Sequence, residues 1–210
     1  PYTTLFRSSL VYTISECHKF DDHGLRYLSC QLQQSKELKH FILRVTWCEA
    51  ITDKGLEHLE KGFRNLKALE TLRFHFSKCL NISDIGYSFL AQSLAGCDSL
   101  KDISLSFEEL SEFNSLVSRP RKATLTNKAL ESFAQNLSLL HKIEKLEIIL
   151  ANCEGVSDKG LNSLTKAIEE FRLLKTLTFS LSSCNGISDI SMQSLKKHLH
   201  QTTGVKTVNV

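Results

Sequence analysis

The hexapeptide Ile51-Thr-Asp-Lys-Gly-Leu56 returns as Ile82-Ser-Asp-Ile-Gly-Tyr87, Val156-Ser-Asp-Lys-Gly-Leu161 and Ile187-Ser-Asp-Ile-Ser-Met192. The step from Ile51 to Ile82 equals the step from Val156 to Ile187, a period of 31. Phe20-Asp-Asp-His-Gly-Leu25 stands one such period before Ile51, and Leu125-Thr-Asn-Lys-Ala-Leu130 one period before Val156. Only the step from Ile82 to Leu125 departs from the rule. It is longer by 12, which predicts an insertion of that length in the third unit. Self-similarity at a fixed period of this length marks a repeat array, in which each unit buries its apolar face only against its neighbours.

Within each unit the apolar period changes. Leu56, Leu59, Phe63 and Leu66, like Leu161, Leu164, Ile168 and Phe171, recur at helical spacing and predict one buried stripe. The Ser/Thr-Asp pairs before them, such as Thr52-Asp53 and Ser157-Asp158, suit helix N-caps. Farther on the spacing drops to two: Phe41, Leu43, Val45; Leu72, Phe74, Phe76; Ile103, Leu105, Phe107; Leu146, Ile148, Leu150; Leu177, Phe179, Leu181. These are short strands. A strand and a helix repeated at constant length predict an α/β solenoid, curved, with parallel strands on its concave face and helices on its convex face.

The 210 residues are 41% hydrophobic and 23% charged with two prolines, which excludes a disordered or linker-dominated chain. A formal charge of +3 is too small to imply nucleic acid or an anionic membrane by itself, so nucleic acid is not the expected partner, and no apolar run approaches the roughly 18 residues of a membrane span. Seven cysteines, an odd count at low density, favour reduced thiols in a cytoplasmic or nuclear setting. Pro1 to Ser8 read PYTTLFRS, which resembles an in-frame translation of the end of a common sequencing adapter, and no initiator Met is present. Residues 1–8 are therefore expected to be an artefact. Residues 9–210 then form a single array, with a partial unit at 9–19, units starting at 20, 51, 82, 125, 156 and 187, and the insertion at about 108–124. The expectation that follows is a fragment of a longer protein.

A cysteine closes most units three residues after the last apolar strand position: Cys17, Cys48, Cys79, Cys153 and Cys184. The run Leu174-x-x-Leu177-x-Phe179-x-Leu181-x-x-Cys184-x-x-Ile187-Ser-Asp resembles leucine-rich repeats of the ribonuclease-inhibitor-like and cysteine-containing classes, over residues 9–210. The resemblance implies protein binding. Similar arrays occur in large intracellular proteins, sometimes beside protein kinase domains, and related ones serve as substrate receptors of ubiquitin ligases. A regulatory or substrate-recognition region of such an enzyme is thus the alternative to a stand-alone scaffold.

The recurrent cysteines could in principle pair between stacked units, but a small thiol after a strand packs as a hydrophobe and donates weakly to carbonyls. Zinc-ligand spacing is absent, and His198 and His200 point to different faces of a helix. Phosphate loops, nucleophile elbows and zincin motifs are missing too, so the reading is non-enzymatic, with no catalytic residue, cofactor or metal. The partner is expected to be another protein of unknown identity. Oligomeric state is not legible.

Stacking by 31 places Ile42, Arg73, Ser104, Glu147 and Thr178 in one outward column, and Arg44, His75, Ser106, Ile149 and Ser180 in the next. Trp47 and Lys78 stack just past the strands. The N-terminal part of the concave face is therefore expected to be basic with one large aromatic, the composition of an interface hot spot. The candidate partner-binding residues are Ile42, Arg44, Trp47, Arg73, His75 and Lys78. Arg119, Arg121 and Lys122 in the insertion join them, because loops that interrupt solenoids often carry function.

Overall fold

The computed structural model describes residues 8–109, 124–202 and 207–209, with side-chain surroundings as far as Lys197. Strands and helices alternate: β1 (Ser9–Ser15), α1 (Asp22–Gln34), β2 (His40–Thr46), α2 (Asp53–Phe63), β3 (Thr71–Ser77), α3 (Asp84–Leu94), β4 (Asp102–Glu108), α4 (Asn127–Leu137), β5 (Lys145–Ala151), α5 (Asp158–Glu169), β6 (Thr176–Ser182), α6 (Asp189–Thr202) and β7 (Thr207–Asn209). The strands form one parallel sheet in sequence order. Register advances by one unit at each step, Phe41 beside Leu72 and Leu72 beside Ile103, and the insertion does not disturb it, since Ile103 lies beside Leu146. Each strand turns alternate side chains onto the helices, and the predicted stripes meet there: Phe41, Phe74, Leu56, Leu59 and Phe63 are all buried. Phe41, Phe63 and Phe74 pack edge to face, with centroids 5.3–6.4 Å apart. Leu181 is only half-buried, because β7 pairs with β6 no farther than Thr178.

The Ser/Thr-Asp pairs divide their labour. Thr52, Ser83 and Thr126 cap their own helices, each accepting from the amide two residues on. The following carboxylate reaches into the next unit instead. Thr52 donates its amide and hydroxyl to Asp22 (2.8 and 2.7 Å), Ser83 to Asp53 (2.7 and 2.6 Å), Thr126 to Asp84 (2.8 and 2.7 Å), and Ser188 to Asp158 (2.8 and 2.9 Å). Gly86 adds a third donor to Asp53 at 3.0 Å, and a Cβ on Gly86 would stand 2.4 Å from that same oxygen. Asn127 replaces the carboxylate once. Its amide oxygen still accepts from Ser157 and Gly160, but its NH2 donates to the Ser157 hydroxyl, and Ser157 makes no cap bond to its own helix.

The strand ends are closed by a second device. Glu16, Trp47, Lys78, Asn152 and Ser183, each just before a repeat cysteine, have φ between 52° and 58°. This bend lets the amides of Glu16, Trp47, Lys78 and Asn152 carry the ladder one residue past the strand, to carbonyls of the next unit at 2.7–3.0 Å. It also turns the thiol back: Cys48, Cys79, Cys153 and Cys184 each donate to a carbonyl of the preceding strand at 3.7–3.9 Å. All seven cysteines are free, and burial pushes the Cys79 thiol up to about 11.

The insertion starts later than the sequence predicts. Glu108 still belongs to β4, opposite Ala151, because backbone pairing continues through a polar residue that breaks no rule of an outward position. Glu109 follows, its amide bonded to the Ala151 carbonyl at 3.0 Å. One carboxylate oxygen of Glu109 accepts the amides of Thr124 (2.8 Å) and Leu125 (2.7 Å) and the Thr124 hydroxyl, so it ties the two described ends of the insertion together. Residues 110–123, Arg119, Arg121 and Lys122 among them, lie outside the described residues.

Asp53→Ala strips three donors of their acceptor and is expected to cost about 2 kcal/mol or more in urea unfolding. Gly86→Ala should lose a similar amount despite the ~1 kcal/mol that alanine gains over glycine inside a helix, and the double variant should fall short of additivity. Burial pushes the Glu109 carboxyl above its ordinary 4.5, against the hydrogen bonds that lower it. The folded chain thus holds this proton more tightly than the unfolded one, and stability from this group falls as pH rises through the raised value. Glu109→Gln retains an acceptor and removes the charge, so its melting temperature relative to the parent should be higher at pH 7 than at pH 4.

Candidate functional site

The pairing register sets two outward columns on the open sheet face. Val11, Ile42, Arg73, Ser104, Glu147 and Thr178 form one; Thr13, Arg44, His75, Ser106, Ile149 and Ser180 form the other. Val11 and Thr13 extend the predicted columns by one strand. The period itself could have found them, since they precede Ile42 and Arg44 by one full repeat.

Sequence reasoning missed how the charges are distributed. Arg73 donates to Asp102 Oδ2 at 3.0 Å, and Lys78 Nζ lies 3.4 Å from Glu108, whose other oxygen accepts from the Ser77 hydroxyl at 2.7 Å. Both acids sit one strand away and outside the two columns, so counting along a column cannot show them. Arg44 alone of these three cations is exposed and has no hydrogen bond or ion pair among the described residues. His75 Nδ1 lies 2.9 Å from Ser106 Oγ, and burial, opposed by Glu108 and reinforced by Arg44, holds its imidazole below the usual histidine value. Toward the C-terminus the face turns acidic and polar: Glu147 accepts from Ser104 at 2.7 Å, while Ser104 and Ser106 are only 8% exposed. Asp102 Oδ1 is buried without a partner among the described residues.

Trp47 is half-buried at the rim, with Lys78 Nζ 5.4 Å from its ring centroid. Its backbone is left-handed, a conformation that costs a bulky residue roughly 1–2 kcal/mol, whereas Asn152 holds the same repeat position with less strain. Ile42 is half-buried and Val11 is 54% exposed. The structure therefore brings Ile42, Arg44, Trp47, Arg73, His75 and Lys78 onto one surface, where Arg73 and Lys78 are neutralised and Arg44 is not. Among the described residues, no group of three or more His, Cys, Asp or Glu could hold a metal ion. Chemically the surface offers apolar contact, hydrogen-bond donors and one unpaired positive charge.

No protein-family model matches the chain, and no curated protein matches it. Solved structures do. Leiomodin-1 Actin-Binding Site 2 is similar with a TM-score of 0.50 and 12% identity, over 91% of this chain and 86% of that one. The tropomodulin C-terminal domain of Caenorhabditis elegans matches with 0.49 and 14%, over 76% and 82%, and a chain of the yeast Rad7 and Elc1 complex with 0.40 and 13%, over 93% and 61%. The leiomodin likeness concerns the fold. With strand and helix alternating at a fixed period in one parallel sheet, the chain is a leucine-rich-repeat-like α/β solenoid.

Arg44→Ala should change unfolding free energy by less than about 0.5 kcal/mol, as expected of an exposed side chain without partners. Arg73→Ala should cost about 1–2 kcal/mol, because the Asp102 carboxylate then loses its only described partner, and adding Asp102→Ala should recover most of that. Urea unfolding of the single and double variants checks both.

Proposed function

We propose that the chain is a non-enzymatic protein-interaction module that binds another protein through the N-terminal part of its concave sheet face, at Ile42, Arg44 and Trp47. The observation that carries this reading is the unpaired, exposed guanidinium of Arg44 beside half-buried apolar side chains and a tryptophan kept in a strained backbone position. Folding needs none of the three in that place, since other units put Arg73 and Ser104 at the position of Ile42, Thr13, His75 and Ser106 at that of Arg44, and Asn152 at that of Trp47. A preformed sheet face binds without ordering itself first, which leaves more of the contact energy as affinity. Leiomodin-1 supports the class of function: a segment of this fold is named there for an actin-binding site. The partner of this chain is not carried over from it.

The thiols support the ribonuclease-inhibitor-like, cysteine-containing subclass and a cytoplasmic or nuclear setting. Each buried repeat thiol gives its proton to a strand carbonyl, a bond that a reducing compartment preserves.

Capture from cell extract tests the reading. Proteins retained by the parent chain should be lost with Ile42→Asp and with Arg44→Glu, and kept with Tyr27→Ala, which alters an exposed helix-face residue. Identical captured sets from all four proteins would sink it.

A further inference from the structure

Resting on that reading, we infer that the partner presents a short acidic segment carrying apolar side chains, which lies across β1, β2 and β3. The two columns divide the work there. Val11 and Ile42 supply an apolar row that continues onto Arg73, whose charge is already taken by Asp102. The adjacent row, about 6.6 Å away along the strands, is Thr13, Arg44 and His75: a hydroxyl, a guanidinium and an imidazole on neighbouring strands roughly 4.8 Å apart. Every member of that row can donate a hydrogen bond, and Arg44 brings a charge that nothing else described on the face neutralises. A carboxylate in the second row with an apolar side chain in the first satisfies both.

The surroundings confine such a segment. Glu147 stands on β5, where it repels an acidic chain, Glu108 on β4 is already paired with Lys78, and Ser104 and Ser106 lie too deep to offer much contact. A basic segment would instead be drawn there and would meet Arg44 unfavourably on β2. Charge complementarity therefore selects both the sign of the partner and its position.

Selection from a random-peptide display library on the immobilised full chain tests this, followed by fluorescence anisotropy with synthetic copies of the selected peptides. Enrichment of Asp or Glu next to Leu, Ile, Phe or Trp is expected. Arg44→Ala should weaken these peptides at least tenfold, Arg44→Lys much less, and Arg44→Glu should shift the selection to basic peptides. Affinity should also fall as salt rises. All Arg44 variants should keep the parent melting temperature. Peptides without acidic bias, or with affinities indifferent to Arg44→Ala, would overturn the inference; loss of their binding in Ile42→Asp would then leave the interaction-module reading standing. Peptides indifferent to both substitutions would remove both. An empty selection, or retention of a single-stranded RNA oligonucleotide through Arg44 instead of peptides, would also refute an acidic segment as the occupant.

Discussion

A carboxylate in the first turn of one helix, filled by the capping residue of the next, holds the units of this solenoid in step. The bond is bidentate, an amide on one oxygen and a hydroxyl on the other, and that fixes both the distance and the rotation between neighbouring units. Its geometry does not depend on the length of chain between the partners. Thr126 reaches Asp84 across the insertion at 2.8 and 2.7 Å, and Ser83 reaches Asp53 across an ordinary unit at 2.7 and 2.6 Å. The third unit can therefore carry extra chain without breaking the stack, because what the array recognises is the returning Thr-Asn pair.

A separate set of contacts works at the other end of the strands. Just before them stand Lys39, Glu70, Lys101, Glu144 and Lys175, so that each charge meets its opposite in the neighbouring units; Lys101 and Glu70 are 2.9 Å apart. Such exposed pairs add little each. Their alternation does, however, keep like charges out of adjacent units. With both rims ordered in this way, outward residues of the sheet are released from holding the fold together, and they can vary from unit to unit.

Period, register and core are legible in the sequence because they repeat: a spacing of 31 places Phe41, Leu72 and Ile103 on adjacent strands from the numbering alone. Half of the Ser/Thr-Asp signal is legible too. The cap is a local event, whereas the carboxylate acts on the capping residue of the next unit, and nothing within one unit reveals that. The left-handed residues escape for a different reason. Glu, Trp, Lys, Asn and Ser share a backbone conformation and no side-chain chemistry, so no glycine marks the bend. At the candidate site the columns are readable but the electrostatics are not, because Asp102 and Glu108 act diagonally on Arg73 and Lys78 and turn a basic stripe into one exposed charge.

That neutralisation decides which part of the face is available to a partner. At Arg73 on β3 and at Ser104 and Glu147 on β4 and β5 the polar side chains are engaged with one another, and a partner would have to break Arg73 from Asp102 or Ser104 from Glu147 before gaining those contacts. On β2 the guanidinium of Arg44 has nothing to give up except water, so contact with a carboxylate there starts from a lower cost. Trp47 points the same way. Its strained backbone is kept by the ladder bond to Ser77, which any residue would make, and the indole itself stays half-buried at the rim. A large side chain held at an energetic cost in a place where Asn or Ser also folds stands three residues beyond the exposed guanidinium of Arg44, just past the end of the same strand.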